Sequence, residues 1–375
     1  MHKINILDYA IRSSSGNISE LLKVIKSGDV SSGTREVNTL DGKCEVPYFL
    51  LQERVSDTKE AITNAIKELV LELVQSLSKE EKSQTVLLLG TAILDKNVIN
   101  AVEDTSHEYA SNPSEFSKTS LDSYAQDIAK ELGLNLFSMT IATACTSSIN
   151  AVLEARNLIN SGVCKRAVVI GAEFSIGLMS DGFMSMNLLS LSEQKPFDEK
   201  RDGLILGEAI AGVLVGKEKS PWSLRGGYSN CNSHTITSVS ESGDEFLEVM
   251  QNAMELSGVN MEQITALKAH ATSSFSNDLA EINAISRLFD KNLDFTALKP
   301  YVGHTLGACG ILEMAIMMAS IDEGFIPKTL HCSESINVEY LPLQEHKECR
   351  EGIFMLNYFG FGGNNTTAII QKERV

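Results

Sequence analysis

The sequence has few of the features that mark membrane, fibrous or disordered proteins. It contains no uninterrupted run of about 18 apolar residues, so we expect no membrane insertion. Only 7 of its 375 residues are proline and no segment has low complexity, which excludes collagen-like and largely disordered chains. Asp8 interrupts the start of the chain before a signal-peptide core can form, so the expected location is cytoplasmic.

Positive charge is also scarce. The chain has 32 Lys and Arg residues against 49 Asp and Glu, a net charge of -17. The electrostatic field of such a chain repels nucleic acid and anionic lipid, so no nucleic-acid partner is expected. An acidic protein partner would require a local basic patch.

Paired cysteines are missing as well. The seven cysteines are an odd number, they are scattered, and none forms a Cys-x-x-Cys pair. A disulfide framework or a compact zinc site is therefore not expected, and reduced thiols in a cytosol are the simplest interpretation. A single cysteine can still act as a nucleophile.

The sequence does contain short apolar strands that alternate with amphipathic helices. Residues 56–76 have helical spacing, and residues 85–90 are an apolar run that ends in glycine. A polar loop and a helix are predicted next, through about residue 133. A strand, a helix and a second strand follow at 137–143, 146–160 and 167–170. This order predicts an α/β fold with a parallel sheet that is covered by helices on both faces.

The second part of the chain repeats this order, with a strand predicted at 266–268 and a helix at 278–289. Turns of small residues open apolar helices at 144–151 and again at 307–315, and each part closes with a glycine turn and a strand, at 203–215 and 360–370. The repetition indicates a duplication, with a joint near residues 217–221. We therefore predict two similarly folded halves, residues 1–218 and 219–375.

Cys145 lies between the end of a predicted strand and the start of a helix. Unpaired backbone N–H groups and the helix dipole favour a thiolate there. The dipole contributes only about 0.3–1 kcal/mol, which is less than one pKa unit. A strongly acidic thiol would therefore need a nearby histidine. The structural alternative, a buried inert cysteine, is disfavoured by this placement and the small neighbouring residues.

Two histidines lie in loops of small residues. His270 follows a predicted strand, and His304 precedes a helix. Ligands of parallel α/β sheets bind at the carboxyl ends of the strands, where Cys145 and His270 are both expected. Structural histidines remain an alternative. A zinc site built from one cysteine and two histidines is disfavoured because these residues are more than thirty positions apart.

A glycine-rich turn at residues 359–365 offers free backbone N–H groups and hinges. It can be a plain hairpin turn, but its aromatic residues Phe359 and Phe361 favour a mobile cover. Residues 197–208 indicate a structural salt-bridge turn, and we assign no chemistry to them.

Five segments together resemble the motifs of the elongating β-ketoacyl-(acyl carrier protein) synthases of the thiolase superfamily. They occur in the family's order at 143–147, 195–208, 270–281, 299–313 and 357–365. The resemblance implies a thiolase-like fold, in which two similar halves form a layered α-β-α-β-α sandwich. It also implies roles for individual residues: Cys145 as the acyl-accepting nucleophile, His270 and His304 as its partners, Lys299 and Glu313 as the pair that orders the site, Phe361 as the gate, the N–H groups of Cys145 and Phe361 as the oxyanion hole, and Thr272 and Phe359 as supporting residues.

The resemblance implies an activity and partners. The reaction is a decarboxylative Claisen condensation of an acyl thioester on Cys145 with a malonyl thioester, and the substrates are carried on the phosphopantetheine of an acyl carrier protein. It needs no metal or redox cofactor, because decarboxylation supplies the driving force. Family members form homodimers, or heterodimers with a silent relative. Lys195 is the candidate contact on the phosphopantetheine side.

Two other functions are compatible with the family fold. A non-catalytic chain-length partner typically lacks the nucleophile, so Cys145, His270 and His304 argue against it. A thioester hydrolase shares the nucleophile and the oxyanion hole, but the retention of both histidines and Lys299 favours condensation.

The chain departs from the family pattern at several positions. It is short for the family, mainly near its N-terminus. Ala271 stands where Gly is usual, Ser274 and Asn364 replace Thr, and Cys231 stands where Asp is common. These differences imply a specialised enzyme of polyketide or aryl polyene synthesis rather than a housekeeping one.

Overall fold

A computed structural model describes residues 3–94, 121–135, 137–231, 239–290 and 293–374. The strands are β1 (Ile4–Arg12), β2 (Gly33–Thr39), β3 (Gly42–Phe49), β4 (Thr85–Gly90), β5 (Ser138–Ile141), β6 (Arg166–Glu173), β7 (Leu206–Gly207), β8 (Ala209–Gly216), β9 (Trp222–Cys231), β10 (Ile264–Lys268), β11 (Asp294–Thr296), β12 (Phe325–Ile326), β13 (Lys347–Glu348), β14 (Gly352–Phe359) and β15 (Asn364–Lys372). The helices are α1 (Ile18–Ser27), α2 (Lys59–Val74), α3 (Lys79–Ser83), α4 (Asp122–Leu132), α5 (Ser147–Asn160), α6 (Gly177–Ser185), α7 (Asp244–Ser257), α8 (Phe275–Leu288), α9 (Lys299–Val302) and α10 (Cys309–Asp322).

Ten of these strands form one sheet in the order β11-β10-β14-β15-β9-β1-β8-β6-β4-β5. The antiparallel pair β1 and β9 lies at its centre. On each side of this pair, two antiparallel pairings are followed by two parallel ones. The sheet is thus mixed, whereas the sequence predicted a parallel one, because one strand of each half, β8 and β15, runs against the other four. The identical order of pairings confirms two similar halves.

Alternate residues of a strand point to opposite faces of the sheet and so into different hydrophobic cores. In β4, Val86 and Leu88 face a core that also contains residues of α5 and α10, whereas Leu87 and Leu89 face a second core with α2 and α4. In the other half, β14 points Met355 into a third core with α7 and α8. Helices α5 and α10 therefore form the middle layer between the two half-sheets. Every residue of α10 from 309 to 321 is buried, as expected for a helix with no solvent face.

The start of α5 is packed closely by glycines. A Cβ atom on Gly90 would lie 2.3 Å from the Cα atom of Ser148, and one on Gly310 would lie 2.6 Å from the backbone nitrogen of Ile149. No side chain fits at either distance, so these glycines allow β4 and α10 to approach α5. This packing fixes the turn that precedes α5, which carries Cys145.

Several elements differ from the sequence predictions. The strand predicted at 137–143 spans only Ser138–Ile141, because the chain bends at Ala144, whose φ is 52°. The helix predicted at 278–289 begins at Phe275, earlier than the predicted start, and Ser274 precedes it. The hairpin of β2 and β3, the strand β9 and the helix α7 were not predicted. The predicted loop and helix before residue 133 lie partly outside the described residues, and α4 is the part that is described.

The proposed boundary at residues 218 and 219 falls between β8 and β9, and it stays a prediction. Within the described ranges, no helix is both long enough and apolar enough to cross a bilayer.

Candidate active site

Cys145 lies in a tight turn between β5 and α5. The 3-10 turn Ala144–Thr146 begins at Ala144, which has a left-handed backbone conformation. A residue with a Cβ atom adopts this conformation only at a cost in free energy. Ser147 stabilises this turn: its hydroxyl donates to the carbonyl of Ala144 (2.6 Å) and accepts from the N–H of Thr143 (2.9 Å). The Cys145 thiol is consequently buried but faces a small cavity.

The structure brings His304 to the thiol. The Nε2 atom of His304 lies 3.1 Å from the Sγ atom of Cys145, although the two residues are 159 positions apart. The backbone of His304 is held in place by β7 and the residue before it, because its N–H donates to Ile205 (2.7 Å) and its carbonyl accepts from Gly207 (3.1 Å). The contact predicted between the cysteine and a histidine is therefore present.

His270 lies beside His304. Its ring centroid is 5.3 Å from that of His304, and the two rings are nearly perpendicular, at 84°. The carboxylate of Glu281 accepts the N–H groups of His270 and Ala271, both at 2.8 Å. Two bonds to one carboxylate hold this loop in place after the end of β10, with φ of Ala271 at 45°. Both rings line the cavity next to Cys145.

A buried charged network lies behind His270. The ammonium of Lys299 contacts the Nδ1 atom of His270 (3.2 Å), its carbonyl (2.6 Å) and Glu313 (2.8 Å). Lys268 donates to the other oxygen of Glu313 at 2.6 Å. The side chains of all three charged residues are fully buried. The lysine and the glutamate that the resemblance paired thus do contact each other, and a second lysine joins them.

Lys299 determines which ring nitrogen of His270 carries the proton. A lysine ammonium can only donate, so the Nδ1 atom of His270 must accept and the proton lies on Nε2. Burial, together with the charge of Lys299, lowers the pKa of both His270 and His304 well below the ordinary value. Both rings are therefore neutral near pH 7. Among the described residues, the Nδ1 atom of His304 has no hydrogen-bond partner, so either tautomer is open to this ring.

Burial raises the pKa of the Cys145 thiol to about 12. The positive charge of Lys299 and the backbone N–H groups of Phe361 and of Cys145 itself act in the opposite direction. The resting sulfur is therefore a neutral thiol, and removal of its proton requires a base. Two N–H groups that stabilise negative charge at one point can also stabilise an oxyanion there.

Phe361 closes the cavity from the side of β14 and β15. Gly360 lets the turn that carries Phe361 lie close to Cys145, because a Cβ atom at position 360 would be only 3.1 Å from the backbone nitrogen of Cys145. The ring of Phe361 stacks on Phe183, with centroids 5.4 Å apart. Phe359, predicted in the turn, is the last residue of β14, where its ring stacks on Phe246 and lies 6.0 Å from His270. The remaining cavity measures about 40 Å³.

Thr272 and Ser274 line the same cavity, on the loop that follows His270. The carbonyl of Thr272 accepts from Gln194 (3.1 Å), and the guanidinium of Arg201 donates to the carbonyls of Ser274 and Phe275. The segment around Arg201, to which we assigned no chemistry, thus holds the loop in place.

The structure does not bring Lys195 to the cavity. Lys195 is not among the residues that line it, and its ammonium lies 3.9 Å from Glu193. No group of three or more potential metal ligands occurs in the described part of the chain.

Sequence reasoning missed three residues of the site. Lys268 was treated only as part of a strand, although a lysine at the end of an apolar strand, two residues before His270, was a usable signal. Glu281 and Asn357 lie within the family motifs at 270–281 and 357–365, but the motifs alone suggested no role for them. Asn357 lies behind the site, where its side chain donates to Glu281 (3.2 Å) and its carbonyl accepts from Lys268 (2.6 Å).

Two family models match successive parts of the chain. Residues 55–220 match the N-terminal domain of beta-ketoacyl synthases, and residues 223–333 match the C-terminal domain. The chain belongs to the beta-ketoacyl synthase family. The family predicted from the five motifs is thereby confirmed.

Two similar proteins have names that agree with this family. The chain is 31% identical over 262 residues to a chloroplastic 3-oxoacyl-[acyl-carrier-protein] synthase I from Arabidopsis thaliana (64% of this chain, 54% of the relative), and 30% identical over 252 residues to a 3-oxoacyl-[acyl-carrier-protein] synthase 2 from Synechocystis sp. (61% and 60%). The matches thus span little more than half the length of these relatives.

The fold matches a solved structure of a ketosynthase in complex with its chain length factor from Xenorhabdus doucetiae. The TM-score is 0.86 at 22% identity, and the match covers 99% of this chain and 98% of the other. This likeness confirms the predicted thiolase-like fold.

Proposed function

We propose that this beta-ketoacyl synthase catalyses the decarboxylative Claisen condensation of an acyl thioester with a malonyl thioester, both carried on an acyl carrier protein. The observation that carries the proposal is the 3.1 Å contact between the Sγ atom of Cys145 and the Nε2 atom of His304, in a cavity that His270 also lines. The names of the relatives support an acyltransferase of this type. Phosphopantetheine-bound substrates need no other cofactor.

The first step transfers the acyl group to Cys145. His304 takes the proton of the thiol on Nε2, and the sulfur attacks the carbonyl carbon of the acyl carrier thioester. The N–H groups of Cys145 and Phe361 bind the oxyanion, and one such donor is worth about 2.7–4 kcal/mol in a dry site. When the carbon–sulfur bond to the carrier breaks, His304 returns the proton to the departing thiol. The step is ordinary covalent catalysis.

The second step needs hydrogen-bond donors for an enolate. The malonyl thioester loses carbon dioxide, and the electrons of the broken bond form an enolate whose oxygen accepts hydrogen bonds from the Nε2–H groups of His270 and His304. For this step His304 carries its single proton on Nε2 rather than on Nδ1, which its unpaired Nδ1 atom allows. Lys299 keeps the proton of His270 on Nε2, as this role requires. The enolate carbon then attacks the acyl carbonyl, the carbon–sulfur bond to Cys145 breaks, and the leaving thiolate takes a proton from solvent water. The product is a β-ketoacyl thioester that is two carbons longer.

Phe361 acts as the gate in this proposal. A cavity of about 40 Å³ is far smaller than the roughly 300–1,000 Å³ of typical ligand pockets. An acyl chain can therefore enter only if the Phe361 ring leaves its position on Phe183. Left-handed φ angles at Gly362 (74°) and Gly363 (77°) give the turn hinges that other residues rarely provide.

The partners in this proposal are an acyl carrier protein and a second ketosynthase-type chain, identical or related. The Xenorhabdus ketosynthase, which has the same fold, occurs in complex with a chain length factor. We further propose a cytoplasmic location, which suits a chain whose seven cysteines, all among the described residues, form no disulfide. Fractionation of the producing cells tests the location, and an organellar or exported chain would contradict it.

Incubation with a labelled acyl carrier and malonyl carrier tests the function. We expect labelled Cys145, release of carbon dioxide and a product two carbons longer by mass spectrometry. Release of free acid without extension would instead indicate the hydrolase. A chain that neither accepts the acyl group nor releases carbon dioxide would indicate the non-catalytic chain-length partner.

The two histidines should differ in their effects. His304 contacts the sulfur, whereas His270 does not, so His304→Asn should slow both acyl loading and decarboxylation. His270→Asn should slow decarboxylation by about 10²–10⁴-fold but leave acyl loading largely intact. Separate assays of loading and of carbon dioxide release measure this. His346→Asn is the control, since His346 lies outside the cavity. Equal losses in both steps for His270→Asn would contradict the assignment.

The raised pKa of Cys145 predicts how alkylation depends on pH. A thiol with a pKa of about 12 is almost entirely protonated at pH 7, so its thiolate fraction rises about tenfold for each pH unit. The rate of iodoacetamide modification at Cys145 should therefore rise steadily from pH 7 to pH 9. Peptide mass spectrometry distinguishes Cys145 from the exposed Cys231. A plateau below pH 8 would show that the resting sulfur is already a thiolate.

A further inference from the structure

Lys268 lies beside the proposed catalytic histidines but has no part in the chemistry above. It is the last residue of β10, two positions before His270, and it is fully buried. Its ammonium donates to Glu313 (2.6 Å) and to the carbonyl of Asn357 (2.6 Å), and it lies 3.5 Å from the centre of the Tyr358 ring. These contacts use all three donors of the ammonium.

We propose that Lys268 is a positioning residue for this reaction. Through Glu313 it holds Lys299 against His270, and through Asn357 it holds the strand that leads to the Phe361 turn. The role of Lys268 in catalysis rests on the proposed function, whereas its effect on the two histidines can be measured without catalysis.

The first link runs through Glu313. Each oxygen of this carboxylate binds one lysine, Oε1 to Lys299 at 2.8 Å and Oε2 to Lys268 at 2.6 Å. Because Lys268 occupies Oε2, Lys299 forms only one bond to the carboxylate. Its remaining donors are directed at the carbonyl and the Nδ1 atom of His270. Without Lys268, the free oxygen would compete for these donors.

The second link runs through Asn357. The carbonyl of this residue accepts from Lys268, and its side chain donates to Glu281 (3.2 Å) and accepts from Thr367 (2.8 Å). Glu281 in turn holds the backbone of His270. Asn357 therefore joins β10, α8, β14 and β15. The Phe361 turn begins four residues later, so the oxyanion donor of Phe361 depends on this strand.

The positive charge of Lys268 should also affect the pKa values of the two histidines, which an uncharged side chain of similar size would not do. Lys268, Lys299 and Glu313 together leave one positive charge close to the two histidines. The other titratable groups that contact the histidines in the described part of the chain are Glu281, which accepts the N–H of His270, and the thiol of Cys145, which contacts His304. Both lysines lower the pKa values of His270 and His304, Lys299 more strongly than Lys268. Removal of Lys268 leaves a neutral lysine–glutamate pair, so the rings should gain protons at a higher pH.

Lys268→Met in the full-length chain tests the proposal. We expect malonyl-carrier decarboxylation to fall about tenfold or more at its optimum, and the acid limb of its pH profile to move up by about one unit. The pKa values of His270 and His304, measured by NMR with ¹⁵N-labelled histidine, should rise in parallel. Lys268→Arg should restore part of the rate and lower the pKa values again. Lys268→Gln, which keeps a donor but loses the charge, should retain the pKa change with a smaller loss of rate.

Lys372→Met is a matched control. Lys372 also contacts a carboxylate, a carbonyl and an aromatic ring: Asp322 (2.6 Å), Ile321 (3.3 Å) and Trp222 (5.7 Å). Asp322 lies nine residues beyond Glu313 on α10, which is about 13 Å along a helix. This variant should keep the pH profile and the histidine pKa values of the unmodified chain.

Three results would overturn the proposal. The first is unchanged histidine pKa values in both Lys268→Met and Lys268→Gln, and the second is an equal change in Lys372→Met. The third is full decarboxylation activity in Lys268→Met. If the unmodified chain releases no carbon dioxide, the proposed function fails, but the NMR titration still decides whether Lys268 acts on the histidines. If Lys268→Met does not fold, Lys268→Gln and Lys268→Arg give the same decision.

Discussion

Replacement of Cys145 by alanine should abolish acyl loading and condensation, by at least about 10³-fold, because Cys145 is the one cysteine among the described residues that line the cavity. Decarboxylation of the malonyl carrier should persist, since both histidines and Lys299 stay in place. Loading is measured as acyl mass on the intact protein, and decarboxylation as released carbon dioxide. The pairing of these outcomes is specific to a nucleophile, because a variant that merely misfolds would lose both activities.

Cys164→Ala serves as the matched control for this experiment. Cys164 is also a free and buried thiol, but it lies beyond the other end of α5. Its replacement should leave loading and extension unchanged. Acyl label that persists in Cys145→Ala, or that disappears in Cys164→Ala, would contradict the assignment of the nucleophile.

Glu313→Gln should destabilise the fold by about 3–5 kcal/mol, because it leaves two buried lysines without their counter-charge. The loss should increase as the pH falls. Burial already lowers the pKa of Lys268 to about 8, and without the carboxylate the folded state favours neutral lysine still more. The unfolded chain then binds more protons than the folded one, so stability declines at low pH. Guanidinium unfolding at pH 6, 7.5 and 9 measures this dependence.

Glu334→Gln is the control for this loss of stability. Glu334 pairs with Lys200 at 2.9 Å, and both side chains are more than half exposed. Exposed pairs contribute at most about 1 kcal/mol, so this variant should unfold close to the unmodified chain at each pH. Similar unfolding curves for Glu313→Gln and Glu334→Gln would show that the buried network does not stabilise the fold.

Local patterns in the sequence predicted much of the architecture. The helices α2, α5 and α10 and the strands β4, β6, β8, β14 and β15 have apolar periodicity or short apolar runs, which depend only on nearby residues. The strand β9 was not predicted, because its glycines at 226 and 227 and its polar residues break the alternation. Its place beside β1 and β15 depends on pairings with residues far along the chain, which no short window contains.

The site shows the same division. Cys145 and His270 could be placed at strand ends, and the five motifs identified the family, since these features are local or occur in a fixed order. The role of Lys195 as a contact on the phosphopantetheine side stays a prediction, since its ammonium lies near Glu193 and it does not line the cavity. The position of Lys268 at the end of an apolar strand is a local signal, but it does not identify its partners Glu313 and Asn357, which are distant along the chain.

The amino-acid sequence by itself determined the family, the duplicated order of strands and helices, and which chemically reactive residues stand at the ends of those elements. Only the tertiary structure decided that His304 rather than His270 contacts the Cys145 sulfur, and that one buried carboxylate serves two lysines. The physical reason is that hydrogen bonds and burial depend on distance in space. That distance is set by the middle layer of helices and by the glycines that let these helices approach the sheet. It does not follow from how far apart the residues are along the chain.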